Sequence, residues 1–297
     1  MRFNLWVVIL CLVSVNLCAQ HKSDAVPPSS FTVNAVHVST YTAVFTGVSQ
    51  AKLTVPGKDA SVGYVLRVNL KAPGIRFVAT PHAGTQETIS ETSEDFAKEE
   101  HLQAAMNAGF FFPCCSVKPE EKSVRGLMIS DGVVIAPVSA DTKYRCSLLI
   151  AKDNHAIIEM VSQKTNLSKF YTAVTGSAEI VRDGKNTGDV NLLNDAAHAN
   201  PRTLVGLSRD GRYLYMVAID GRKPGYSIGT TNTESATILL ALHAWTGLNL
   251  DGGGSTSMVL ENKSGKVVSV NHPSGGTERL VAASLGLHAL PLGTAQK

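Results

Sequence analysis

Four short segments carry residue types whose order suits chemistry on a polar, anionic substrate: Asn107-Ala-Gly-Phe-Phe, Asn200-Pro-Arg-Thr203, Asp220-Gly-Arg222 and Asp251-Gly-Gly-Gly-Ser-Thr-Ser257. In the last, a hydrophobic run delivers Asp251, and Gly252, Gly253 and Gly254 then leave the backbone bare. Glycine admits positive φ and close approach of a ligand. Successive bare N–H groups in such a turn cradle an anion, and Ser255, Thr256 and Ser257 add hydroxyl donors. Asp220 closes a fully apolar run and is followed at once by Gly221 and Arg222. By itself that triplet reads equally as a turn with a surface ion pair, which contributes little.

Arg202 follows Pro201, which fixes the local backbone, and its planar guanidinium suits a phosphate through paired hydrogen bonds. Alone, it also reads as a solvated charge at a strand start. Asn107 leads into Gly109 and aromatic residues, a place from which its amide would reach a sugar hydroxyl or a carboxylate. It reads equally as the Asn that ends a helix. Glu234 stands three residues after Thr231, the spacing of a helix capping box, and His198 lies near the Arg202 segment. No serine elbow, P-loop or dinucleotide fingerprint is present. The cysteines and the nine histidines lack zinc spacing, so no metal is expected. The remaining metal reading is Ca²⁺ or Mg²⁺ held by the acids through oxygen.

Short β-rich runs must position these groups. Val33–Val38, 63–70 and Ile75–Thr80 read as strands, the second half-buried by its alternation. Ser93–Met106 reads as a helix capped by Ser93. Residues 125–136 form a hairpin across Asp131–Gly132. Strands follow at Cys146–Ala151, Ala156–Val161, Thr203–Leu207 and Tyr213–Ile219, the last apolar on both faces as a central strand is. A helix is expected over Thr233–Trp245, then strands at Leu248–Asp251, Ser257–Leu260, Lys266–Val270 and Val281–His288. The expected fold is α+β: a single domain with a mixed, largely antiparallel central β-sheet flanked by a few helices.

With 297 residues, 44% apolar and 17% charged, the chain is long and apolar enough to bury a core. A net charge of +3 without a basic stripe argues against nucleic acid as a partner. Residues 1–19 read as a signal peptide: Arg2, an apolar run from Leu5 to Val13, and Ala19 before the cleavage point. The expectation is an exported protein, periplasmic or secreted, with lipid attachment at Cys18 the weaker reading and no later membrane span. A lead at 20–32, the main domain at 33–290 and a tail at 291–297 complete the division. Of Cys114, Cys115 and Cys146, either of the adjacent pair is expected to bond Cys146, because a bridge between neighbours is strained.

Taken in order, the four segments resemble the phosphodiester glycosidase family, whose lysosomal members remove N-acetylglucosamine from a mannose phosphodiester. The likeness runs over about residues 60–290, with Glu234 and Asn271-His272-Pro273 also matching. Ala108 stands where the family usually has glycine, and Phe112–Cys115 is unusual for it. The resemblance implies a hydrolase acting on a carbohydrate phosphodiester without a cofactor. Asp220, Asp251, Arg202 and Arg222 would be catalytic. Asn107, Gly109, Thr203, Gly252, Gly253, Gly254, Ser255, Thr256 and Glu234 would bind substrate. A non-catalytic module binding envelope glycans and a metal-dependent phosphodiesterase are the alternatives.

Overall fold

The structure, a computed structural model, describes residues 30–57, 60–188 and 198–293. The signal peptide expected at 1–19, with Cys11 and Cys18, lies outside the described residues. α-Helix among those residues is confined to Ser93–Glu99 and Asn232–Ala241. The strands form one nine-stranded sheet, two five-stranded sheets and a three-stranded sheet. Every strand pairing among the described residues is antiparallel, so the expected mixed central sheet gives way to a set of packed antiparallel sheets. No helix among them is long and apolar enough to cross a membrane.

The large sheet is covered on both faces, and its central strand shows why. Along Tyr213–Ile219, Leu214, Met216 and Ala218 enter one core with Phe77, Met106, Leu148 and Leu285 of the neighbouring sheets. Tyr215, Val217 and Ile219 enter another with Ile238, Leu239 and Leu242 at the second helix. Successive strand side chains point to opposite faces, so a run apolar at every position needs a layer on each side. Ser61–Asn69 is likewise covered twice, with Val65 in one core and Leu66 in the other. The half-buried strand expected there is therefore a buried one.

Three local expectations change. The first helix stops at Glu99, with Thr92 as N-cap accepting from the Asp95 N–H, and His101 takes φ 54°. Ala104–Asn107 then pairs with Met258–Glu261 and Ser284–His288 as a central strand. The alanines there are good helix formers, but pairing on both edges and burial on both faces outweigh so weak a preference. The second helix ends at Ala241, because His243 at φ 65° turns the chain into the strand Ala244–Asn249. Residues 33–38 are a 3-10 turn and a two-residue strand, and the hairpin Thr42–Phe45 with Val48–Val55 lacked a sequence signal. The Asp131–Gly132 hairpin has the expected form, both residues at positive φ.

The cysteine expectation is corrected: Cys114 and Cys115 bond each other, and Cys146 is a free thiol, 1% exposed. Cys146 faces the core from the strand Cys146–Ala151, whereas its two expected partners sit on an exposed loop.

Candidate functional site

Three adjacent strands bring three of the four segments to one end of the large sheet. Tyr213–Ile219 ends at Asp220, Ala244–Asn249 runs on to Asp251, and Arg202–Ser208 lies between them in the opposite direction. Arg202 pairs with Ile219 and Leu204 with Asn249. The two acidic residues thus leave strands separated by one intervening strand, about 10 Å apart at the backbone. Asn107, at the end of its own sheet, closes the fourth side.

Asn107 is fully buried, and its amide is spent on the protein. Its Nδ2 donates to the Asp251 carbonyl (2.6 Å), while its Oδ1 accepts from Thr203 Oγ1 (2.7 Å) and the Ser257 N–H (3.1 Å). The Asp251 N–H donates to the Ala108 carbonyl (2.8 Å). Asn107 and Thr203 therefore clamp the start and end of the glycine turn from beneath. Gly109 packs near Ala283 and the Thr175 carbonyl, between Ala108, which bonds the Asp251 N–H, and Phe110.

Asp220 is 1% exposed. Its carboxylate accepts from Asn271 Nδ2 (3.0 Å), the His272 N–H (2.8 Å) and the Tyr226 hydroxyl (2.9 Å). Burial, hydrogen bonding to Tyr64 and then to Asp220 push the Tyr226 phenol well above its ordinary range. Asn271 Nδ2 also reaches the Thr256 carbonyl (3.3 Å), and its Oδ1 accepts from the Met258 N–H (2.8 Å). Asp220 thus lies behind the glycine turn, joined to it through Asn271. Glu234 completes the capping box with Thr231 and accepts from Ser30 Oγ. It sits on the helix and not on the turn.

The hollow itself is small, about 170 Å³, and is lined by Phe110, Arg202, Arg222, the segment Asn249–Gly254 and Arg279. Larger clefts lie elsewhere. One of about 560 Å³ is at the Ser208–Gly211 turn, the far end of the same strands, roughly 20 Å away by strand rise. Volume favours that cleft, but the convergence of arginines on a bare backbone favours the small hollow, and binding sites are recognised by converging polar groups.

Two glycines of the triplet make room for an arginine and the first for backbone. A Cβ on Gly253 would lie 3.0 Å from Arg222 Nη2 and on Gly254 2.2 Å from Arg279 Nη2, whereas on Gly252 it would meet the Pro201 carbonyl at 2.7 Å, with Arg202 Cδ in ordinary contact at 3.7 Å. Gly253 has φ 62°. Arg222 is itself at φ 59°, a conformation that costs a non-glycine residue on the order of 1 kcal/mol and clusters at functional sites. Its Nε and Nη2 are anchored on Asn200 Oδ1 (3.1 and 2.9 Å). Arg202 is 2% exposed, with Nε and Nη2 donating to the Thr230 and His198 carbonyls (2.8 Å each). Arg279 donates to Ser255 Oγ (3.3 Å). Three guanidinium groups and one carboxylate, Asp251, therefore surround the turn among the described residues, a surplus of positive charge suited to a phosphate. The same residues hold no group of three His, Cys, Asp or Glu placed to bind a metal ion.

Arg279 is the functional candidate that lies outside every motif, and Phe110 lines the hollow from within the first segment. Arg279 sits in a Gly/Thr-rich stretch with no local pattern, and only its steric fit to Gly254 marks it. Gly254→Ala is expected to push Arg279 off the turn and raise KM for an anionic substrate about tenfold or more, while kcat on a neutral one changes little. Steady-state kinetics on both substrates checks this.

Comparison with curated proteins yields no match. Among solved structures, the chain is similar to the catalytic domain of zebrafish N-acetylglucosamine-1-phosphodiester alpha-N-acetylglucosaminidase, auto-inhibited by its pro-peptide. The TM-score is 0.62 at 18% identity, over 85% of this chain and 87% of that one. A hypothetical protein from Synechocystis gives 0.58 at 15% identity, over 82% and 62%. A Burkholderia pseudomallei protein described as exported gives 0.55 at 18%, over 80% and 75%. Residues 100–288, more than half of the chain, match the phosphodiester glycosidase family, a span that holds the glycine turn and all three of its arginines, and the protein belongs to that family.

Proposed function

We propose that the protein, exported behind the leader at 1–19, hydrolyses sugar-1-phosphodiesters through the domain at 33–290. Water adds to the anomeric carbon, the bond from that carbon to the phosphate oxygen breaks, and the alcohol leaves as its phosphate monoester. The observation that carries this reading is the set of three arginines lining the hollow beside Asp251, two of them fitted onto Gly253 and Gly254. A phosphate monoester has a second pKa near 6, so it departs as an anion with little need of a proton. Its departure needs preorganised positive charge. Arg222 and Arg279 supply that at the turn, and Arg202 adds charge from below. Asp251 is the carboxylate on the wall of the hollow, placed to attack the anomeric carbon or to activate water. Asp220, Asn107 and Thr203 position the turn. No metal or cofactor is assigned a step.

N-acetylglucosamine-1-phosphodiesters are the first compounds to assay, followed by other sugars and envelope glycans. Arg222→Ala and Arg279→Ala are each expected to lower kcat/KM for the phosphodiester about 10²-fold, the scale of losing one preorganised donor. The corresponding 4-nitrophenyl glycoside should lose less than about tenfold. Hydrolysis in ¹⁸O-water should place the label on the sugar. Label on the phosphate would instead mean P–O cleavage and defeat the proposal.

A further inference from the structure

We infer that an exposed shelf beside the hollow, made of Phe112 and the Cys114–Cys115 disulfide, selects the alcohol half of the substrate for an apolar face. This rests on the phosphodiester reading above.

The strand Phe110–Phe112 alternates its side chains, so Phe110 and Phe112 share one face. Phe110 forms a wall of the hollow, which carries that face outward to Phe112, 58% exposed. Arg125, cross-strand from Phe110, lies over the Phe112 ring at 5.2 Å. Two residues on, the chain turns through the exposed disulfide, with Cys115 at φ 73°. Arg279 joins this loop to the turn: its Nη1 is 3.3 Å from Ser255 Oγ and 3.9 Å from Cys114 Sγ. Asp251 and the turn arginines line one hollow, and Arg279 links it to the disulfide. A phosphate held by Arg222 and Arg279 has the sugar on the Asp251 side and its alcohol on the disulfide side.

The fold gains little from this loop. A disulfide stabilises by closing a loop in the unfolded chain, and a bridge between neighbours closes almost none. Phe112, more than half exposed, buries little of its ring. Ring and disulfide are, however, uncharged, polarisable surfaces beside a strongly charged hollow, which suits an alcohol with an apolar face near its ester oxygen.

The test compares benzyl and methyl phosphodiesters of N-acetylglucosamine-1-phosphate on the wild-type protein, Phe112→Ala and the Cys114→Ser/Cys115→Ser double variant. The wild type should favour benzyl about tenfold in kcat/KM, the return on burying one face of a ring. Both variants should lose that preference while cleaving the methyl ester within about twofold of wild type. A wild type without preference, variants that keep it, or variants that lose methyl turnover as well would each overturn the shelf. Cleavage of neither ester by wild type would instead bring down the phosphodiester reading itself, and the shelf with it.

Discussion

Asp251→Asn should leave a folded protein whose kcat on a sugar-1-phosphodiester is lower by about 10³-fold or more, the scale on which a positioned carboxylate acts. The fold uses the main chain of this residue: its N–H bonds Ala108 and its carbonyl takes the Asn107 amide. Asparagine keeps both bonds and nearly the same volume, so the protein should stay folded, with Tm within about 4 °C of wild type. Removing the negative charge from among three arginines leaves their hold on phosphate intact or tighter. KM should therefore stay level or fall while kcat collapses, the signature of an interaction made only in the transition state. A variant that keeps kcat within about tenfold of wild type would remove Asp251 from the chemistry.

Asp220→Ala should fail in the opposite way. It strips a buried acceptor from Asn271 Nδ2, the His272 N–H and the Tyr226 hydroxyl at once. Buried donors left without partners cost about 1–3 kcal/mol each. Tyr226 can turn its hydroxyl to His272 Nδ1, 3.1 Å away, so the loss falls mainly on the other two. A loss of about 3 kcal/mol, or roughly 6–12 °C in Tm, is expected. Activity should fall with it, because Asn271 carries the Asp220 contact to the Thr256 carbonyl. Asp220→Asn is the informative partner. Its Oδ1 can still accept from Asn271 and His272, and its Nδ2 can donate to a reoriented Tyr226. Stability should return to within about 1 kcal/mol and kcat to within about tenfold. If thermal unfolding is restored and turnover is not, the Asp220 charge itself takes part in the reaction.

These two aspartates also show how far the sequence could be read. Both were visible as acids closing apolar runs; the strand before Asp220 stands where its pattern put it, whereas the one before Asp251 is Ala244–Asn249, starting earlier and ending two residues short of the acid. Strand pairing, however, decides which carboxylate opens into the hollow and which is sealed behind it. Asn107, which reads from sequence as a ligand for sugar or a helix terminator, ends a strand. It holds Asp251, Thr203 and Ser257 together, a role visible only once distant segments meet. The glycine triplet was legible as a bare backbone, yet Gly253 and Gly254 are matched to arginines from elsewhere in the chain, and Arg279 had nothing around it to mark it. Ala104–Asn107 misled because its alanines favour helix locally, while its burial on both faces is a property of the assembled sheets. The Thr231–Glu234 capping box and the Asp131–Gly132 turn were legible because their causes lie within four residues.

The buried Cys146 gives the molecule a built-in reporter. With Cys114 and Cys115 tied together, it is the one free thiol among the described residues, and burial pushes its pKa up to about 12. Alkylating reagents attack thiolate, so the folded chain is inert to them until the strand Cys146–Ala151 detaches. The rate of Cys146 modification in a chain starting after residue 19 therefore counts rare excursions of the core, without an introduced dye.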